Sequence, residues 1–139
     1  MAVERTLALV KPDAVAAGST GAILAMIEGA GLRIVSMRMT RLTKAQAQAF
    51  YAVHKERGFY GELCEFMSSG PIVSLVLEGE DAIVRWRDLM GPTDSTKAGP
   101  DTVRGRYGTS VSFNAVHGSD APGTAAVELP FFFPTQALV

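Results

Sequence analysis

Two short segments of the chain are apolar on both sides of the backbone, and this property limits the folds that the sequence can adopt. The first is RTLALVK, Arg5–Lys11, which is followed by Pro12, and the second is PIVSLVLEG, Pro71–Gly79. A strand with one face in water alternates apolar and polar residues, whereas a strand buried on both faces is almost continuously apolar. The first segment is therefore predicted to be a buried central strand, and the second to be another strand of the same kind.

Helical patterns separate these strands. A capping-box sequence, Thr43 with Gln46 three residues later, predicts the start of a helix. Apolar or aromatic residues at i, i+3, i+4 and i+7 of this helix share one face, which ends at His54. Three other helices are predicted at 20–31, 59–67 and 80–91. A half-exposed strand is predicted at 33–40, in which Val35, Met37 and Met39 alternate with Ser36, Arg38 and Thr40 and therefore share one face. A last helix is expected after Asp120, running to Leu129 and stopping at Pro130.

The order of these elements is strand, helix, strand, helical pair, strand, helix, long loop and fourth strand. It predicts an α+β fold of the ferredoxin-like type, a βαββαβ sandwich in which helices pack on a four-stranded antiparallel sheet. The length suggests one domain over 1–139, with no internal repeat or linker. The loop from Pro92 to Phe113 is expected to be functional or disordered because loops of that length are uncommon in small domains. The FFFP segment, Phe131–Pro134, must be covered, and a neighbouring subunit could cover it.

Composition argues against several classes of function. The net charge of −1 makes nucleic acid an unlikely main partner, since overall charge would not attract it. The single cysteine, Cys64, allows no intramolecular disulfide and no cysteine-based zinc site, and we assign no direct metal ligands. The sequence has no apolar run of membrane-spanning length and no signal-peptide plan at its N-terminus, so no membrane partner and a cytoplasmic location are expected. It also lacks the P-loop, nucleophile-elbow and HExxH motifs.

One of the two histidines lies in an unusual setting. His117 occurs in NAVHGSDAPG, among small and polar residues, where a side chain is presented rather than packed. Cationic and hydrogen-bonding side chains occur near other predicted element ends, and a group of them around one anion is what polyphosphate transfer requires. These side chains are Lys11, Arg87, Thr93, Arg104 and Asn114. Taken singly, each is more often a solvated surface residue, and sequence spacing does not show that they converge.

Five segments resemble the nucleoside diphosphate kinase family, from near residue 4 to about residue 133. They are ERTLALVKPDAV, GFYGELCEFMSSGP, LVLEGEDAIVRWRDLMGPTD, PDTVRGRYG and, most specifically, NAVHGSD. The resemblance implies an enzyme that transfers the terminal phosphate of a nucleoside triphosphate, typically ATP, to a nucleoside diphosphate. The phosphate passes through a phosphohistidine in a ping-pong mechanism. A phosphohistidine keeps a high transfer potential, so both half-reactions remain reversible.

The resemblance also implies a role for each matching position. His117 corresponds to the phosphorylated histidine, Glu128 to the carboxylate that orients its ring, and Tyr51 to a residue beside the transferred phosphate. Phe59 corresponds to the aromatic ring on which the base stacks, an interaction that tolerates every base. The phosphate contacts correspond to Lys11, Arg87, Thr93 and Arg104, and the ribose contacts to Lys11 and Asn114.

Three of these residues also have a purely structural interpretation. By periodicity alone Tyr51 is equally well interpreted as a core residue, and Glu128 as a solvated helix carboxylate. From its neighbours alone, Phe59 is better interpreted as a hydrophobic residue at a helix start. Ser119 and Asp120, which follow the histidine, are expected to cap the helix after it.

Partners follow from the same resemblance. Magnesium is expected to arrive with the nucleotide, and a tetrameric or hexameric homo-oligomer is expected. The rival functions are a non-catalytic ferredoxin-like binding module and a nucleic-acid-binding protein. The joint presence of His117, Lys11 and Arg104 favours the enzyme. Lys11, at the end of its strand, is expected to point outward from the sheet.

Overall fold

A four-stranded sheet forms the centre of the protein, for which we describe residues 3–133 of a computed structural model. The strands are β1 (Val3–Val10), β2 (Arg33–Thr40), β3 (Ile72–Glu80) and β4 (Val116–Gly118). Their order in the sheet is β2-β3-β1-β4, and every neighbouring pair is antiparallel. This is the ferredoxin-like arrangement that the element order predicts, with β1 in a central position.

Helices connect the strands. They are α1 (Pro12–Ala16), α2 (Thr20–Gly29), α3 (Lys44–Phe50), α4 (Tyr60–Met67), α5 (Ala82–Met90), α6 (Val103–Tyr107) and α7 (Pro122–Phe132), with short 3-10 helices at Ala52–His54 and Ser95–Lys97. Among the described residues, none of the helices has both the length and the apolar character needed to cross a membrane. That residues 1–139 form a single domain remains a prediction.

Helices pack on both faces of the two central strands, β1 and β3, so the structure has three layers. Leu7 and Leu9 pack in one cluster with α3, α4 and α7, whereas Ala8 and Val10 pack in another with α2 and α5. All four side chains are fully buried. The continuous apolar character of β1 is therefore explained by alternate residues that enter two different cores.

The helix predicted from Thr43 begins as expected but ends earlier. The Thr43 hydroxyl accepts from the Gln46 N–H, and the Gln46 side chain accepts from the Thr43 N–H, so the capping box is confirmed. The α-helix ends at Phe50, and His54 belongs to the separate 3-10 turn. His54 therefore does not continue the buried face that Ala47 begins.

The alternation predicted for β2 is interrupted by a bulge. The register with β3 shifts between Ile34 and Ser36. As a result Val35 is buried in the cluster with Leu7. Met37 and Met39 instead pair with Leu75 and Val73, whose side chains belong to the other cluster, and they are 55% and 61% exposed. A single extra residue reverses the face of everything after it, so the expectation that these three side chains share a face is wrong.

The segment between α5 and β4 is ordered by short helices, in place of a structureless loop. It contains the 3-10 turn Ser95–Lys97 and the helix α6. Gly91, where the sequence predicts the end of α5, has a φ of +84° and lies against Thr102, which a Cβ would meet at 2.9 Å or closer. Glycine is needed there for both reasons.

The last helix does not stop at Pro130. Helix α7 continues through Pro130 to Phe132, and the N–H of Phe133 donates to the Leu129 carbonyl at 2.9 Å. Phe132 and Phe133 are 6% and 3% exposed in the chain's own core, so these two need no neighbouring subunit to cover them. Burial of two phenyl rings outweighs the cost of proline in the last turn. Pro134 lies outside the described residues.

Candidate active site

The pairing of β1 with β4 brings distant parts of the sequence to one place. Leu9 is paired with His117, and Val10 with Val116. Directly opposite residues project from the same face of a sheet, so His117 lies on the side of α3 and α7. Lys11 follows β1 immediately, at the end where β4 begins. The strand pairing therefore accounts for the proximity of the histidine and the lysine.

The His117 ring is held by a carboxylate on α7. Its Nε2 lies 3.2 Å from Oε1 of Glu128, and the Ser119 hydroxyl donates to the same oxygen at 2.7 Å. Burial acts to raise the pKa of Glu128, but the hydrogen bond and charge of His117 and the bond from Ser119 lower it below its usual value. The carboxylate is thus an acceptor and Nε2 carries a proton. In the neutral ring, Nδ1 then has the free lone pair.

Aromatic side chains border the same ring. The Phe50 and Tyr51 centroids lie 5.7 and 6.2 Å from that of His117. Tyr51 is 5% exposed, and its hydroxyl has no hydrogen-bond partner among the described residues. Burial, together with the nearby charge of Glu128, raises the pKa of Tyr51. Tyr51 is therefore both a core residue and an unused donor beside the histidine.

Lys11 lies inside the molecule, so the expectation that it points outward is wrong. It is 7% exposed, and its ammonium donates to Oδ1 of Asn114 at 2.8 Å. The amide nitrogen of Asn114 donates in turn to the Thr93 carbonyl at 3.1 Å. Burial lowers the pKa of Lys11 to about 8, Asp13 opposes this effect, and Arg104 adds to it. Three of the predicted residues are therefore joined in one hydrogen-bonded chain.

Backbone carbonyls hold the Arg104 side chain in place, close to the hydrogen bonds that join Lys11, Asn114 and Thr93. Its two terminal nitrogens donate to the Gly91 carbonyl at 3.0 Å and the Val116 carbonyl at 2.9 Å. Its Nε is buried and has no partner among the described residues. Burial, followed by the charge of Arg87, lowers the pKa of Arg104 to about 10. Arg87 is exposed on α5 and adds a second positive charge.

Phe59, the residue predicted to stack on the base, makes its ring contacts away from His117. It is 47% exposed at the start of α4, and its ring lies beside His54 and Arg57. In the described residues, no hydrogen bond or ring contact joins it to His117 or Lys11. Its side chain is thus available to a ligand, but its role is not indicated by the protein's own contacts.

Comparison with known proteins decides what this arrangement belongs to. The family profile for nucleoside diphosphate kinase matches residues 4–138. The nucleoside diphosphate kinase of Bradyrhizobium diazoefficiens is 55% identical over 139 residues, which is 100% of this chain and 99% of the relative. That of Leptothrix cholodnii is 56% identical over 138 residues, with 99% and 98% covered. The chain belongs to the nucleoside diphosphate kinase family.

Solved structures of nucleoside diphosphate kinases agree in fold. The enzyme of Aquifex aeolicus superposes with a TM-score of 0.97 at 49% identity, covering 99% of this chain and all of that one. The Halobacterium salinarum enzyme, solved in complex with CDP, has a TM-score of 0.95 at 39% identity, with 99% and 92% covered. Membership in this family makes the chain a nucleotide-binding enzyme of the phosphotransferase class.

Sequence reasoning missed several contacts of this nucleoside diphosphate kinase fold. Ser119 does not cap α7, because its hydroxyl is bonded to Glu128 and the residue that precedes the helix is Ala121. Asp120 does not cap the backbone of α7 either, since its carboxylate accepts from the Thr124 hydroxyl, which lowers the pKa of Asp120. The Trp86 indole donates to the carbonyl of the histidine at 3.3 Å. Ser119 and Glu128 are nine residues apart, and Ser119 lies outside α7, so no helical spacing rule predicts their contact.

Proposed function

We propose that His117 is the nucleophile of a nucleoside diphosphate kinase reaction, with the residues around it in the roles that the family resemblance implies. The observation that carries this assignment is the hydrogen bond between Nε2 of His117 and Glu128 at 3.2 Å. It orients the ring and leaves the Nδ1 lone pair for attack. Three cationic side chains, Lys11, Arg87 and Arg104, supply the charge that a polyphosphate needs.

The reaction consists of two matched displacements. In the first, the Nδ1 lone pair forms a bond to the terminal phosphorus of a nucleoside triphosphate such as ATP. The bond from that phosphorus to the bridging oxygen breaks, and the nucleoside diphosphate leaves with the electron pair. In the second, a terminal oxygen of another nucleoside diphosphate attacks the same phosphorus and the P–N bond breaks. Glu128 stabilises the positive charge that the ring carries between the two steps.

The remaining residues position the nucleotide. Lys11 and Asn114 offer an ammonium and an amide to the ribose hydroxyls and the phosphates. Arg87, Arg104 and Thr93 contact the phosphates. Tyr51 offers its unpaired hydroxyl beside the histidine. Phe59, with about half of its surface exposed, accepts the base by stacking, which favours no particular base.

Magnesium enters this scheme as part of the nucleotide substrate. Most side chains around the histidine are cationic or neutral donors. Of the two carboxylates near it, Glu128 is engaged by His117 and Ser119, and Asp120 accepts from the Thr124 hydroxyl. Such a set fits phosphate oxygens and does not fit a bare divalent cation. Among residues 3–133, no group of three or more His, Cys, Asp or Glu side chains could hold a metal ion. The phosphate oxygens themselves are the ligands that magnesium prefers, and the ion neutralises part of their charge.

The assignment is tested by incubation with γ-labelled ATP and magnesium. Wild-type protein is expected to acquire an acid-labile, alkali-stable label that added nucleoside diphosphate removes. His117→Ala is expected to acquire none, whereas His54→Ala, which changes the other histidine, is expected to label like the wild type. A label that survives acid, or that persists in His117→Ala, contradicts the mechanism.

We also infer a homo-oligomer, a tetramer or a hexamer, in the cytoplasm. Strand β2 is at the edge of the sheet and exposes Met37 and Met39, and an exposed apolar edge strand favours pairing with another copy. The free, buried thiol of Cys64 suits a reducing compartment. Light scattering of wild-type protein and of a Met37→Lys, Met39→Lys variant tests the assembly. A wild-type monomer contradicts it.

A further inference from the structure

The residue that precedes β4 by one position has an unusual backbone. Ala115 has a φ of +70°, and the N–H of Val116 donates to the Asn114 carbonyl at 2.8 Å across it. A three-residue turn with positive φ is rare and strained, and it is costly for alanine where it is not for glycine. Such a residue persists only when its surroundings hold it, at a cost of roughly 1–3 kcal/mol.

Both backbone groups of Ala115 are held by the segment that follows β1. The Ala115 N–H donates to Oδ2 of Asp13 at 3.1 Å, and its carbonyl accepts from the Lys11 N–H at 2.8 Å. Ala115 itself is fully buried. One end of this turn carries Asn114, which accepts from the Lys11 ammonium, and the other end leads into the strand of His117. The turn therefore connects the lysine and the histidine.

We propose that Asp13 is a positioning residue for phosphoryl transfer, which holds the strained turn at Ala115 and so sets His117 and Asn114 relative to Lys11. This inference rests on the proposed function of His117. Within residues 3–133 the Asp13 carboxylate forms no hydrogen bond with the side chains of His117, Lys11 or Asn114, so its bond to the turn acts through the backbone. A carboxylate is suited to this task because it accepts strongly from a backbone N–H in a buried setting.

The charge of Asp13 has a second effect at the same place. Lys11 is buried, and the charged groups that face it are Asp13, which favours its ammonium form, and Arg104, which disfavours it. Oδ1 of Asp13 is buried and has no hydrogen-bond partner among the described residues, so its charge is not shared with another donor there. Without Asp13, only burial and the charge of Arg104 act on Lys11, and both lower its pKa. The lysine then loses its proton at lower pH.

Two substitutions separate these effects. Asp13→Asn keeps an oxygen that can accept from the Ala115 N–H but removes the charge, whereas Asp13→Ala removes both. The rate of histidine labelling by γ-labelled ATP is measured between pH 6 and 9.5. Asp13→Ala is expected to be slower than the wild type at pH 7 by about ten-fold. Asp13→Asn is expected to label close to the wild-type rate at pH 6, and to lose its rate at a lower pH than the wild type as pH rises.

The turn itself supplies the decisive variant. Glycine adopts a positive φ at little cost, so Ala115→Gly is expected to restore most of the labelling rate that Asp13→Ala loses. Asp101→Asn, which removes a carboxylate with a 94% exposed side chain, is the matched control and is expected to label like the wild type. An Asp13→Ala rate equal to the wild type, or one that Ala115→Gly does not improve although the protein is folded by circular dichroism, overturns the proposal.

A measurement without substrate separates this proposal from the function on which it rests. The titration of Lys11, followed by the ¹³Cε shift of the labelled lysine, is expected to move to lower pH in Asp13→Asn and to stay in place in Asp101→Asn. An unchanged titration overturns the electrostatic part. If the wild type takes no label while the titration moves, the function assigned to His117 is wrong and the positioning role falls with it.

Discussion

Nε2 of His117 lies 3.2 Å from Oε1 of Glu128, a residue eleven positions later on helix α7. The carboxylate keeps its charge in this half-buried site because His117 and Ser119 both donate to it, against the effect of burial. This pair decides which ring nitrogen has a free lone pair. It also ties the orientation of the ring to the docking of α7 on the sheet, since the helix and not the strand supplies the carboxylate.

The first prediction concerns this pair. Glu128→Gln keeps the size of the side chain and an oxygen that can accept from Nε2, but it removes the negative charge that strengthens this hydrogen bond and stabilises the positive ring. We expect the rate of phosphoenzyme formation in a rapid-quench experiment to fall about 10- to 100-fold, with little change in nucleotide affinity. Glu28→Gln, at an exposed position of α2, is the control. An unchanged rate in Glu128→Gln contradicts the orienting role.

The second prediction follows from the burial of Lys11, whose pKa falls from the ordinary 10.5 to about 8. Below pH 8 the lysine is charged in both the folded and the unfolded chain, and the folded chain bears the cost of burying the charge. Between pH 8 and 10.5 only the unfolded chain holds the proton, so stability rises with pH through this window. The full gain corresponds to about 3 kcal/mol.

Urea denaturation of the wild type and of Lys11→Met between pH 7 and 10.5 measures this gain. The difference between their free energies of unfolding cancels the titration of all other groups. We expect that difference to move in favour of the wild type as pH rises above 8. A difference that is independent of pH means that Lys11 titrates normally.

Local sequence signals predict which segments form helices and strands, but they do not predict where an element is interrupted or ends. The capping box of Thr43 and Gln46 is confirmed because its hydrogen bonds lie within four residues. The bulge at Val35 and the continuation of α7 past Pro130 were not predictable, because both depend on side chains that are buried against distant strands. Tertiary packing overrides local preference in these cases.

The candidate site shows the same division more sharply. The hydrogen bond from Lys11 to Asn114 joins residues 103 positions apart, and no spacing rule connects them. Family resemblance supplied these residues, and the fold brings them together through the pairing of β1 with β4. No sequence motif indicates the role of Asp13. Its carboxylate accepts from the backbone N–H of Ala115, and the strained turn at Ala115 exists only in the folded chain.

The third prediction concerns Gly118, the residue after the histidine. A Cβ at this position would lie 2.6 Å from two atoms of the Trp86 ring and 2.7 Å from Met90. Trp86 is fully buried and cannot move aside, so we expect Gly118→Ala to lower the free energy of unfolding by about 1–3 kcal/mol. The labelling rate is expected to fall as well, because the strand of His117 must shift.

Gly21→Ala is the matched control for this substitution. Gly21 lies in α2, and a Cβ there would meet no atom of another part of the chain within 4 Å, so alanine is expected to stabilise the chain by about 0.5–1 kcal/mol. Thermal unfolding of both variants is the measurement. Equal effects of the two substitutions would show that contact with Trp86 is not the cause.

The fourth prediction tests the stacking role of Phe59. Phe59→Ala is expected to weaken the binding of ADP, CDP and GDP alike by about 1–3 kcal/mol, since stacking accepts every base. The affinity for tripolyphosphate, which has no base, is expected to stay unchanged in calorimetry. Val53→Ala, which truncates an 86% exposed side chain, is the control. A loss confined to one nucleotide, or one shared by tripolyphosphate, contradicts the role.

The last prediction concerns the proline inside α7. Pro130 is exposed, so its replacement leaves no cavity, and Pro130→Ala restores an N–H that can donate to the carbonyl of Ala126 in the last turn. We expect the free energy of unfolding to rise by about 1–3 kcal/mol, and the labelling rate of His117 to stay unchanged because Glu128 keeps its place on the helix. A loss of stability on this substitution would mean that the proline bends α7 into the position that Phe132 and Phe133 require for burial.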